Sequence, residues 1–257
     1  QTVALNSDVL VNIDLNQVFH LHNTTGQKIT VVYKKLPKEQ ISDVNSVLEI
    51  DESDKVLSHE LFQGGDKEAY NMSTDIFVVD TPYLIEKLEE EAAKEEPRKL
   101  RYVLRDLAVA ENGFAYEYTG YLSNIHSVKA YFDANLDMLE SEKFYKLFAP
   151  NQKVYTKVKN EEPTYYADSS EVKVSQFASG SIVRGKVEHS VVSRNVDLAE
   201  GSSVSYSVLF PRVTVGKGAT VEYAIVDKGV EIADGVTIRG TENNPVVIKK
   251  GSVVTED

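Results

Sequence analysis

The sequence predicts two architectures in series: a mixed-sheet α/β domain over residues 1–148, then a linker and a short parallel β-helix over 149–257. Strand and helix patterns alternate up to about residue 148, and after about residue 167 helical periodicity stops and a 17-residue repeat begins. Between them, Lys146 to Ser169 carries Pro150, Pro163 and several charged residues, the composition of a linker.

Val3 to Leu5 is apolar and ends at Asn6-Ser7-Asp8, which predicts a strand. Because that strand begins at once, without a polar lead-in, we expect residues 1–257 to be the later part of a longer polypeptide. Asp14 is placed to cap a helix with Leu15, Val18, Phe19 and His22 at helical spacing, and Gly26 lies where the helix should stop. Ile29-Thr30-Val31-Val32-Tyr33 is β-branched and aromatic, hence a strand; Val47 to Leu57, with Asp51-Glu52-Ser53-Asp54 at its centre, reads as a hairpin. Ile76 to Val79 is another strand. Thr81 followed by Pro82 then predicts a hydroxyl cap and a helix running through Leu84, Ile85 and Leu88.

In the second part, Val196, Val213 and Val230, then Leu198, Val215 and Ile232, and then Val191, Val208 and Ile225 form apolar rows 17 residues apart. Gly201, Gly218 and Gly235 keep the same interval. Three rows and a glycine row in register describe a three-sided prism whose coils stack on one another, with glycines at turns that need positive φ. Val172 to Val187 repeats less cleanly, and Val246 to Val253 repeats at a spacing nearer 16, so these coils are assigned to the ends. An antiparallel sandwich of short strands is the other reading of this pattern.

With 28 Lys plus Arg against 40 Asp plus Glu the net charge is −12, which argues against a nucleic-acid-binding surface. The absence of cysteine excludes disulfides, thiol nucleophiles, thiolate zinc and iron–sulfur sites. No apolar stretch approaches a membrane span and no secretory signal opens the chain, so we expect no membrane association and a cytoplasmic location.

Six-residue turns of this kind resemble the left-handed β-helix of hexapeptide-repeat proteins. Leu5-Asn6-Ser7-Asp8, Ile13-Asp14 with its helix to His22, Thr24-Thr25-Gly26, Phe132-Asp133-Ala134-Asn135-Leu136-Asp137 and Val221 to Lys228, in that order, resemble the ADP-glucose pyrophosphorylase (glucose-1-phosphate adenylyltransferase) family. The resemblance covers nearly the whole chain. It implies a nucleotidyltransferase-like (Rossmann-like) first domain, incomplete at its N-terminus, because the family's glycine-rich nucleotide loop has no counterpart in residues 1–257.

The resemblance also says what the site should contain. Nucleotidyl transfer in catalytic relatives uses Mg2+, held by carboxylates converging from separate strands. Asp8 matches the first of these. The second falls in Tyr121 to His126, where the aspartate is Asn124 and the adjoining glycine is His126. The family's phosphate-gripping lysine aligns with Leu61 in His59-Glu60-Leu61-Phe62-Gln63, with Glu60 beside it in the sugar-phosphate-like pocket as a structural residue. Loss of an ammonium next to a phosphate removes several kcal/mol at reduced dielectric. The sugar-contacting serine survives as Ser73, but its neighbouring glycine is Asp75, a carboxylate expected to repel phosphate.

These departures resemble the GlgD-type branch of the family. They imply a regulatory subunit of glycogen biosynthesis with no catalytic residues, a vestigial metal position at Asp8, and no required cofactor. The expected partner is the catalytic subunit, in a heterotetramer, with a phosphorylated metabolite as effector near Lys153, Lys157, Lys159 and Arg184. Phe210 and Val254 are interface candidates. Two other readings stay open: an active sugar-1-phosphate nucleotidylyltransferase in which Lys67 replaces the lost lysine, and a hexapeptide-repeat acyltransferase with His189 as its base.

Overall fold

A computed structural model describes residues 1–148 and 153–255; Pro150 of the expected linker lies outside the described residues. The chain divides into two compact units, Gln1–His126 and Ser127–Asp257.

The first unit contains, in order, β1 (Thr2–Ala4), β2 (Val9–Val11), α1 (Leu15–Thr25), β3 (Ile29–Pro37), β4 (Ser46–Ile50), β5 (Val56–Leu61), β6 (Ala69–Val79), α2 (Thr81–Ala92), α3 (Leu100–Ala110), β7 (Phe114–Glu117) and β8 (Leu122–Asn124). The sheet order is β5-β4-β6-β3-β7, with β1 also on β6. Only β3–β7 is parallel within it, so the sheet is mixed as expected. Core residues pack on both of its faces: Phe77, Val79, Leu84 and Leu104 belong to one cluster, Val18, Val32, Met72 and Val78 to the other. Strand neighbours such as Phe77 and Val78 point to opposite faces, which is why this central strand is apolar without alternation.

Asp14 caps α1 by accepting from the Asn16 amide at 3.0 Å, and Gly26 ends it at φ 63°. For α2 the expected cap at Thr81 is displaced by one residue. The cap position is Asp80, which makes no side-chain capping bond, while Thr81 Oγ1 shares a hydrogen bond with Thr2 Oγ1 at 2.9 Å.

The second unit opens with α4 (Val128–Leu136) and α5 (Ser141–Leu147) and continues as a parallel β-helix. Residues 153–164 have no regular structure, and Tyr165-Tyr166 is already a strand of the first coil. Three parallel sheets run along the prism, with pairs such as Val187↔Val204↔Val221↔Ile238 one coil apart. The coil carrying Val246–Ile248 departs from the expected spacing of 16. Ala224 pairs with Val246, 22 residues on, because the segment 240–245 is an inserted turn closed by the Thr241↔Asn244 bridge.

The inner rows also need one correction. Val196, Leu198 and their repeats face inward as expected, but in place of the expected row of Val191, Val208 and Ile225 the inward residues are Val192, Leu209 and Val226. The neighbouring row faces outward, and its Val208 and Ile225 are buried instead against Phe132 of α4. An outward row covered by a helix is as apolar as an inward one, so periodicity alone could not separate them.

Candidate functional site

A cavity of about 250 Å³ in the first unit is lined by Asn6, Asp8, Asn45, Ser46, Ser73, Asp75, Arg101, Arg105, Asn124 and His126, among others. It brings together five of the residues singled out from sequence: Asp8, Ser73, Asp75, Asn124 and His126. The β2–β8 ladder does this by pairing Val9 with Asn124, and the Ile125 amide donates to the Asp8 carbonyl at 2.8 Å.

Glu60 and Leu61 are not there. They line a separate cavity with Val47, Glu49, Ser58 and Tyr70 at the β5 edge of the sheet, where Leu61 is half-exposed. The Lys67 ammonium, the expected stand-in for the lost lysine, lies over the Tyr70 ring, and Lys67 does not line the cavity of Asp8.

Asp75 departs most from expectation. The register of β3 against β6 shifts after Val32↔Ile76 to Tyr33↔Ser73, so Thr74 and Asp75 form a bulge, and Asp75 holds φ 52°. A bulge re-aims a side chain, here into the cavity wall, and aspartate tolerates the left-handed region better than most residues. The carboxylate expected to repel phosphate is not left bare. It is buried in a bidentate pair with Arg105, Oδ1 accepting from Nε at 3.0 Å and Oδ2 from Nη2 at 2.6 Å. The new negative charge is offset where it stands.

His59 lies against this pair. Its side chain is fully buried, Nε2 shares a hydrogen bond with Ser46 Oγ at 2.9 Å and stands 3.9 Å from Asp75 Oδ1, and Nδ1 has no partner among the described residues. Burial and then the nearby Arg105 charge push its pKa down to about 3, so the ring is neutral.

The Asp8 carboxylate and the Arg101 guanidinium are 3.4 Å apart, and Arg101 Nε is 3.5 Å from Asp75 Oδ2. The Asn124 amide is committed to protein groups: Nδ2 donates to the Gln40 carbonyl at 3.0 Å and to Asn45 Oδ1 at 2.8 Å, while Oδ1 accepts from Asn45 Nδ2 at 3.3 Å. These residues do not fit a divalent ion. Mg2+ demands hard oxygen ligands in near-octahedral array, whereas here one carboxylate faces a guanidinium and the other position is a neutral amide bonded to Asn45 and Gln40. Among the described residues, no group of three or more His, Cys, Asp or Glu side chains is placed to hold a metal.

Sequence reading missed both arginines. The signal was present: Leu100, Val103, Leu104, Leu107 and Ala108 have helical spacing and predict α3, which puts Arg101 and Arg105 one turn apart.

The GlmU-like C-terminal hexapeptide family matches residues 159–255, the β-helix. The glycogen biosynthesis protein GlgD of Bacillus subtilis (strain 168) is 31% identical over 254 residues, which is 99% of this chain and 64% of that protein. The chain belongs to the GlgD and glucose-1-phosphate adenylyltransferase family. GlgD of Geobacillus stearothermophilus is 53% identical over 123 residues, 48% of this chain and 36% of that protein. The glucose-1-phosphate adenylyltransferase of Thermosipho africanus (strain TCF52B) is 26% identical over 206 residues, 79% of this chain and 49% of that enzyme. This member of the family therefore spans less than two thirds of the length of the curated relatives it matches.

Proposed function

We propose that this protein is a regulatory, non-catalytic subunit in bacterial glycogen biosynthesis. It partners a catalytic glucose-1-phosphate adenylyltransferase, which forms ADP-glucose and diphosphate from ATP and glucose 1-phosphate, in a cytoplasmic heterotetramer. The observation that carries this reading is the cavity beside Asp8, where a neutral amide and a guanidinium stand in place of a second carboxylate and a cation. Without a dication the charge on a triphosphate is not neutralised at the moment it must be attacked. The match to GlgD over nearly the whole chain supports the glycogen role, and the lack of any helix long and apolar enough to cross a membrane, among the described residues, agrees with the location.

A regulatory subunit acts by binding one state of its partner better than the other. Of the basic residues proposed for a phosphorylated effector, Lys153, Lys157 and Lys159 are exposed, while Arg184 donates to Asp197 at 2.6 Å. Both interface candidates are partly buried within their own unit, Phe210 against Tyr131 and Phe132 and Val254 against the core of the β-helix. The test is an assay of ADP-glucose formation by the intact protein, by the catalytic subunit, and by their mixture. The reading expects no turnover by the first and a changed rate or effector response in the third. Turnover by the intact protein alone would establish the active-enzyme reading instead.

A further inference from the structure

Arg101 and Arg105 leave α3 on the same side, yet they do different things. Arg105 is buried and fully engaged by Asp75. Arg101 is 41% exposed and reaches two carboxylates from separate segments, Asp8 at 3.4 Å and Asp75 at 3.5 Å. Asp75 is already neutralised, so what Arg101 adds is a bridge to Asp8, whose carboxylate has no other cationic partner among the described residues. A positive group between two carboxylates is the arrangement a divalent ion adopts at such a place.

We propose that Arg101 is the resident cation of this cavity: it stands between Asp8 and Asp75 where a divalent ion would stand, and so makes the cavity independent of divalent metal and closed to it. This rests on the reading of the cavity as non-catalytic and adds a cause to it. Two carboxylates and two guanidiniums sum to zero charge before any ion arrives. A dication approaching Asp8 would have to come within a few ångströms of a fixed positive charge in a partly desolvated pocket, where that repulsion is strong. Asn124 does not help, since both ends of its amide are spent on Asn45 and Gln40. The two contacts of Arg101 are long and its side chain is partly exposed, so its removal costs the fold little.

The test is Mn2+ binding to the full-length protein, followed by the loss of free-ion electron paramagnetic resonance signal. Wild type should fill no site that depends on Asp8 at millimolar Mn2+. Arg101→Ala combined with Asn124→Asp should gain one Mn2+ site at least about tenfold tighter than any in wild type, and adding Asp8→Asn should abolish it. Asn124→Asp alone should gain none, because Arg101 still holds Asp8. Since a buried substitution at Asn124 can harm folding, Arg101→Ala alone is the second arm, expected to bind Mn2+ at Asp8 measurably more tightly than wild type. Wild-type binding that Asp8→Asn removes, or equal affinity in wild type and Arg101→Ala, would overturn the proposal. Turnover by wild type with Mg2+ would sink the non-catalytic reading itself, whereas Mn2+ binding without turnover sinks only the resident cation.

Discussion

At Asp75 a residue with a side chain holds a left-handed backbone, φ 52°, inside a bulge of the central strand, at a cost of roughly 1–2 kcal/mol. Its bidentate pair with Arg105 explains why glycine is not required there. The pair is a poor source of net stability but a costly one to break, because Arg105 left alone is a buried, unpaired charge and Asp75 left alone keeps only the long contact to Arg101. We therefore expect Arg105→Met to lower the unfolding free energy by about 3–5 kcal/mol. Asp75→Gly with Arg105→Met should cost much less than the sum of the single changes, a non-additivity that urea unfolding of the four proteins reads directly. The neighbouring His59 sets a pH dependence. Its folded pKa of about 3 lies below the unfolded value of about 6.5. Below pH 6.5 the unfolded chain takes up a proton that the folded chain refuses, so stability falls with decreasing pH, by up to about 1.4 kcal/mol per unit from this group, until about pH 3. The His59→Gln variant should show a shallower loss of urea midpoint between pH 7 and pH 5 than wild type; an equal slope would mean His59 is not the group responsible.

At the scale of elements, the turns of the β-helix separate two uses of glycine. Gly218 holds φ 66° with open space around an added Cβ, whereas a Cβ at Gly216 would meet the Ala233 carbonyl carbon and the Asp234 amide nitrogen at 2.6 Å. Substitution at Gly218 costs only the backbone conformation, about 1 kcal/mol. At Gly216 the next coil must move. Gly216→Ala should therefore lower the melting temperature further than Gly218→Ala; the reverse order would contradict the stacking described. The same elements show what could be read in advance. Asp14 with Gly26, the Asp51 to Asp54 hairpin turn and the 17-residue rows carry local chemistry that tertiary context did not override. What was not legible depended on partners distant in sequence. The inward choice of Leu209 over Val208 is set by α4 arriving from residue 132, and the fate of Asp75 is set by an arginine 30 residues later. The grouping of Asp8 with Asn124 followed from the family resemblance, but Leu61 lies on a sheet edge in another cavity, which a string comparison cannot show.

For the whole molecule, the first unit is a mixed sheet with helices, and the two carboxylates and two guanidiniums at its cavity pair with one another. On the proposed reading, shape and chemistry have separated, as suits a subunit kept for assembly and regulation. The most direct measurement is ADP-glucose formation from ATP, glucose 1-phosphate and Mg2+ by the purified full-length protein, alone and mixed with a catalytic glucose-1-phosphate adenylyltransferase. The account predicts no product above background from the protein alone and an altered rate or effector response in the mixture. Sustained, Mg2+-dependent turnover by the protein alone would contradict it.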